Sequence, residues 1–282
     1  MKIQNAILAL AAGLFLTNCA DNIEQQAQVY LNRAQQAYEN DQYHLARIQI
    51  DSIKEVYPKA FETRRKAQTL LLHIDWAETQ RSLHYADSML ILSRSSAESY
   101  TPKLHFDKDV NYQDIGLYYA AQHRIERNVG RTFMRPQTDE KGALAIVVFY
   151  RGRDIKPHTL RITAPDGTFT EVTSPTPHVW TDASGRTERL DFVPNPAESV
   201  AAFVELHADK SPKVELIGEK GKITLPFAKV DKEALLDVSK LATALRAIND
   251  LEAKKQEANR RLAFIQSRLQ ADSTKQIAGE QE

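Results

Sequence analysis

A chain of 282 residues with 37 basic and 37 acidic side chains carries no formal net charge at pH 7. Neutralising a phosphate backbone takes an excess of Lys and Arg, so this balance speaks against nucleic acid as a partner. The 42% hydrophobic content suffices for one large or two ordinary domains, and a single cysteine excludes an intrachain disulfide framework.

Residues 1–18 have the anatomy of a secretory signal: Lys2 is the basic start and Ala6 to Leu16 the apolar run. That run is too short to cross a bilayer as a helix, which takes roughly 20 apolar residues. It ends in Leu16-Thr17-Asn18-Cys19, and Cys19 is the lone cysteine. The tetrad resembles the bacterial lipobox, with Asn18 departing from the small residue expected before the cysteine. The resemblance implies a Gram-negative-type envelope lipoprotein, anchored to a membrane by palmitate-type acyl chains on Cys19. Its location would be the outer membrane, on the periplasmic or surface face. Buried methylenes would supply the anchoring. An ordinary signal peptide with an incidental cysteine is the alternative.

Residues 19–102 read as helical. Ala27, Tyr30, Ala34, Ala37 and Tyr38 recur at three- and four-residue steps, and after Asn40-Asp41 a second helix runs from Tyr43 to Tyr57. Leu45, Ile48, Ile50, Ile53 and Val56 form its expected apolar face, and Pro58 stops it. Residues 27–60 resemble a single tetratricopeptide repeat, in the packing residues Tyr30, Ala34 and Ala37, the turn at Asp41 and Tyr43, Ala46 and the terminal Pro58. No second copy follows, and a plain helical hairpin is the alternative. Phe61 to Ser93 reads as one long helix with Ala67, Leu71, Ile74, Ala77, Tyr85, Met89 and Leu92 near one stripe, and Ser93 to Pro102 as a linker.

From residue 103 to 228 the period changes to two, which predicts an antiparallel β-sandwich. Expected strands are Gly116–Ala120, Arg131–Gln137, Ala143–Tyr150, Thr159–Thr163, Thr168–Thr173, His178–Thr181, Glu188–Val193, Val200–His207, Lys213–Ile217 and Lys222–Leu225. Residues 229–272 predict a helix capped by Asp231, with a coiled-coil seam of Val238, Leu241, Leu245, Ile248, Leu251, Lys255, Ala258, Leu262, Ile265 and Leu269. Residues 273–282 read as a disordered tail. The fold class is therefore α+β: a TPR-like helical hairpin and long helix, a β-sandwich, and a long C-terminal coiled-coil helix. The helices 61–93 and 231–271 would each span on the order of 50 to 60 Å and either pair antiparallel as a stalk or self-associate between chains.

No catalytic motif stands out. The histidines are scattered, without metal-ligand spacing, and no nucleophile elbow or phosphate loop occurs, so no catalytic residue, metal or cofactor is assigned. Tyr112, Tyr118, Tyr119 and Trp180 are candidate residues for stacking on a sugar or peptide, though tyrosines in a strand also pack cores. Three functions are carried forward. The first is a non-catalytic scaffold binding an envelope protein, or itself, through helices 61–93 and 231–271. The second is a carbohydrate- or small-ligand-binding lipoprotein using the β domain. The third is a hydrolase with paired carboxylates.

Overall fold

The structure, a computed structural model, describes residues 22–279 apart from residues 175 and 184. The signal segment, Cys19 and the last three residues lie outside the described residues. The chain is mixed helix and sheet, with N-terminal helices, antiparallel sheets and a long C-terminal helix. It divides into two compact units, one of residues up to Asp87 together with those from Ala253, the other Ser88–Glu252.

The first unit is helical. Helix α1 covers residues 22–39, α2 is Tyr43–Val56 and α3 begins at Phe61. Asp41 turns the chain between α1 and α2 at φ +59, and its carboxylate accepts a 2.7 Å hydrogen bond from the Tyr43 hydroxyl. Small side chains let the helices approach closely. Ala27, Leu31, Ala34 and Ala37 of α1 are buried with Ala46, Ile50 and Ile53 of α2 and Ala67 and Ile74 of α3. The expected face of α2 is therefore rotated: Ala46, Ile50 and Ile53 enter the core, while Leu45, Ile48 and Val56 are exposed. Glu24 of α1 accepts hydrogen bonds from the backbone N–H groups of Glu62 and Thr63, both 3.1 Å, which α3 leaves without intrahelical partners at its start. Arg47 of α2 reaches Asp75 and Glu78 of α3 at 2.6 and 2.5 Å.

Helix α3 runs unbroken from Phe61 to Tyr100, so Ser93–Pro102 is not the expected linker. Serine on an exposed face does not end a helix whose Ala97 and Tyr100 pack against neighbours, and the chain leaves the helix at Thr101-Pro102-Lys103. The expected stripe holds in part: Ala67 and Ile74 are buried, but Tyr85 and Leu92 are 63% and 62% exposed, and Ala86, which was not expected in it, is buried.

Among its described residues the second unit carries ten strands. They are β1 His105–Asp107, β2 Leu117–Tyr119, β3 Phe133–Asp139, β4 Leu144–Tyr150, β5 Pro157–Thr163, β6 Phe169–Thr173, β7 His178–Asp182, β8 Gly185–Phe192, β9 Lys213–Gly218 and β10 Gly221–Leu225. All pairings are antiparallel, in a six-stranded sheet ordered β1-β2-β3-β4-β8-β7 and a four-stranded sheet ordered β10-β9-β5-β6. Alternation along the strands sends Ile146, Val148, Leu190 and Phe192 of one sheet and Leu160, Ile162 and Leu216 of the other into a single core cluster.

The expected strand Val200–His207 is instead part of helix α4, Asn195–Leu206. Pro196 opens the helix, and Ala197, Val200, Ala201 and Val204, spaced as one helical face, join the core. The last helix, α5, extends from Lys229 to Gly279, beyond the expected end at 272, so the predicted tail is helical as far as it is described. Asp231 is not its cap. It lies inside the first turn and reaches back to accept the Ala228 N–H at 2.9 Å, the reciprocal half of a capping box.

The predicted seam of α5 is its buried stripe. In the β unit, Leu235, Val238 and Ala242 enter the sheet core, while Leu241, Ala244, Leu245 and Ile248 pack with Ala97 and Tyr100 of α3. Arg94 meets Glu252 at 2.9 Å and Lys103 meets Asp237 at 3.2 Å. In the helical unit, Ala258 and Ile265 are buried, Arg261 meets Asp75 at 3.1 Å and Lys255 pairs with Asp87. In each unit α3 and α5 of one chain face each other.

Gly142, in the β3–β4 turn at φ +83, abuts α5 so closely that a Cβ there would lie 2.3 Å from the Ala242 carbonyl oxygen. Gly167, in the β5–β6 turn at φ +88, has open space around it. Urea unfolding should therefore find Gly167→Ala costing only backbone strain of roughly 1–2 kcal/mol, and Gly142→Ala distinctly more. Equal losses would contradict the close approach of the turn and α5. Ile146→Ala, at a fully buried position, should cost about 2–5 kcal/mol in the same measurement.

Candidate functional site

The structure does not gather the four predicted aromatic residues. Tyr112 lies between β1 and β2 and is 88% exposed. Tyr118 and Tyr119 are neighbours on β2 and so point to opposite faces of the sheet. Trp180 is on β7, at the opposite edge of the six-stranded sheet from β1, where its ring meets His178 at 5.8 Å. The Tyr118 ring lies tilted against Phe106 at 4.6 Å, and Tyr118 and Trp180 are both half-buried, so of the four only Tyr112 is an exposed ring.

Tyr119 is 3% exposed and organises one sheet face. Its hydroxyl donates a 2.6 Å hydrogen bond to Asp107 of β1, and the His105 ring lies edge-on at 5.4 Å. Across the sheet, strand register sets Gln137 of β3 opposite Tyr119, and Phe133 of β3 opposite Phe149 of β4 with rings stacked at 4.8 Å. Between them projects Arg135, a residue that sequence reasoning passed over. Its guanidinium carbon lies 4.8 Å from the centre of the Tyr119 ring and 5.1 Å from that of Phe149. The residue is only 6% exposed, and burial holds its guanidinium below the ordinary arginine value. A single Arg within Phe133-Met134-Arg135-Pro136-Gln137 carries no signal of burial, because a charged side chain at an alternating position is ordinarily solvated.

A second candidate surface belongs to the helical unit. Leu45, Ile48 and Val56 leave an apolar stripe on the outside of α2. Between α2 and α3 lies a cavity of about 370 Å³ lined by Ile50, Lys54, Phe61, Arg64, Arg65 and Leu71, among others. Phe61 is 70% exposed at its rim. Lys54, Arg64 and Arg65 make the lining basic, with Asp51 the acidic residue in it.

The remaining titratable clusters do structural work. His123, buried, bonds Asp231 at 2.8 Å. Burial acts to raise the Asp231 carboxyl, but the His123 and Ala228 hydrogen bonds outweigh it and hold the group below its usual range. Asp109 accepts the backbone N–H of Asn111 at 3.0 Å. Arg151, directly after β4, meets Asp182 of β7 at 3.2 Å. Among the described residues, no group of three or more His, Cys, Asp or Glu is placed to hold a metal ion, and no helix is long and apolar enough to cross a membrane. Comparison with protein-family models, curated proteins and solved structures finds no match.

The geometry at Tyr119 makes an alkaline prediction. Burial, then the hydrogen bond to Asp107, pushes its hydroxyl up to about 12. A tyrosine ionises near 10 in the unfolded chain, so its contribution to stability is complete below pH 10 and is lost as pH rises toward 12. The hydrogen bond to Asp41 also raises Tyr43, and burial raises Tyr118 and Tyr150, so spectrophotometric titration should show several tyrosines ionising late, and Tyr119→Phe should take one tyrosine out of that late phase. A titration in which Tyr119→Phe leaves the late phase intact would contradict this placement.

Proposed function

We propose that the protein is a membrane-anchored envelope lipoprotein whose helical unit serves as a non-catalytic docking scaffold. The anchor reading rests on the sequence: the basic residue Lys2, the apolar run to Leu16 and the lone Cys19 in a lipobox-like setting. The docking reading rests on one observation above the others, the basic cavity between α2 and α3 with Phe61 exposed at its rim. Its occupant is an acidic segment of an envelope protein bearing an apolar side chain. Charge complementarity with Lys54, Arg64 and Arg65 would steer the segment, and contact with Phe61 would hold it. The hairpin of α1 and α2 is read as TPR-like, the two sheets as a β-sandwich, and the paired segments of α3 and α5 as an antiparallel coiled coil.

Two experiments test the reading. In cells fed labelled palmitate, the wild-type protein should take up label and fractionate with membranes, and Cys19→Ala should lose both properties. Retained label would remove the anchor from the account. For docking, crosslinking in intact cells should recover an envelope partner whose yield drops about tenfold with Phe61→Asp, the loss of one buried apolar anchor. The control Phe169→Asp, at an exposed site in the other unit, should leave the yield unchanged. Equal yields from all three proteins would overturn the docking surface. A second reading, ligand binding by the β domain, is favoured by the surroundings of Arg135.

A further inference from the structure

We propose that Arg135, held between the rings of Tyr119 and Phe149 without an acidic partner, anchors a binding site for a small monocarboxylate ligand. The inference is independent of the docking scaffold and lies in the other unit.

The argument begins with what Arg135 lacks. A guanidinium offers a planar fork of N–H donors and no acceptor, and it stays charged under all ordinary conditions. Buried arginines are ordinarily paired with carboxylates, because an uncompensated buried charge costs several kcal/mol. Arg135, 6% exposed, makes no hydrogen bond and no ion pair among the described residues. Its surroundings hold carboxylates, but each is engaged elsewhere. Asp107 accepts the Tyr119 hydroxyl at 2.6 Å, and Asp191 pairs with Arg189 at 2.9 Å. Two aromatic faces compensate part of the charge through their quadrupoles, yet leave the hydrogen-bonding capacity of the fork unused.

The fork also has an open end. Of its nitrogens, only Nε is both sealed from solvent and unpartnered, so the two terminal nitrogens are the ones that reach the surface. Beside it on the same face of β3, the amide oxygen of Gln137 is buried and has no donor. Rotated about its last bond, that amide presents N–H groups to an anion instead. Two parallel N–H donors in a plane match the geometry of a carboxylate. The neighbouring Asp107 and Asp191 oppose a second negative charge, which favours a monocarboxylate over a phosphate dianion. The Tyr119 and Phe149 rings beside the fork make its surroundings aromatic, which favours a carboxylate carrying an apolar body.

Benzoate is the probe, with benzamide as its uncharged counterpart and inorganic phosphate as the competing anion, each titrated calorimetrically into the full chain. Benzoate should bind saturably at concentrations up to about 10 mM, the range that resolves weak ligands. Benzamide should bind about tenfold more weakly or worse, the loss of charge-assisted hydrogen bonds. Arg135→Met should abolish benzoate binding while keeping the fold, since an apolar side chain of similar length replaces a buried charge without leaving an unpaired partner. Arg135→Lys should bind at least about tenfold more weakly, because a point charge lacks the fork. Urea midpoints for both variants separate lost binding from lost folding, and Phe169→Ser, at an exposed site on the other sheet, gives a folded control that should still bind. No saturable benzoate binding, equal binding of benzamide, preferential binding of phosphate, or unchanged binding by a folded Arg135→Met protein would each overturn the proposal.

Discussion

The structure depends on the apolar stripe of α5. Leu235, Val238 and Ala242 on its first turns belong to the core of the sheet unit, together with residues from both sheets and from α4. The same turns are pressed so near the β3–β4 hairpin that only a glycine fits at position 142. Arg246 fastens the arrangement by bonding the Gly142 carbonyl at 3.1 Å and Glu198 of α4 at 2.6 Å. A helix that reads as a separate C-terminal element is thus an internal part of the fold it follows.

This constraint explains which features were legible in the sequence. The α5 seam from Val238 to Leu269 was readable because one face alone is apolar, and its members are buried or half-buried in the structure. The expected strands on either side of Gly142, Gly167 and Gly218–Gly221 do pair as hairpins, because the breaks between them fall at glycines that a tight turn accepts. In α2 the pattern was ambiguous: Leu45, Ile48 and Val56 recur at helical spacing just as Ala46, Ile50 and Ile53 do. The expected face held members of both: Ile50 and Ile53 are buried as expected, whereas Leu45, Ile48 and Val56 were drawn in by bulk and are exposed, because close helix packing turns the small Ala46 inward. In α4, the run Val200-Ala201-Ala202-Phe203-Val204 satisfies a strand and a helix alike, and the decisive sign is Pro196 at its start. The candidate ligand residues fared worse. Burial of Arg135 is produced by Tyr119 and Phe149, residues of two other strands, and nothing local to Arg135 encodes it.

The functional reading joins an address taken from sequence to surfaces taken from structure. With Leu241, Ala244, Leu245 and Ile248 of α5 packed against Ala97 and Tyr100 of α3, the exposed apolar groups among the described helical residues include Leu45, Ile48 and Val56 on α2, Phe61, Tyr85, Ile91 and Leu92 on α3, and Phe264 on α5. The β unit contributes a different kind of surface, in which a charge is kept in an aromatic setting and left unpaired. A protein with no net charge overall can still present such local imbalances. These, rather than the total, are what a partner or ligand meets.

The claim on which the account rests most is that α3 and α5 pair within one chain. Zero-length carbodiimide crosslinking of a mixture of isotopically heavy and light protein tests it directly, through Lys255 with Asp87 and Lys103 with Asp237. The account predicts that both crosslinked peptide pairs occur only as heavy–heavy and light–light species. Heavy–light pairs in statistical proportion would mean that the helices pair between chains, and would contradict it.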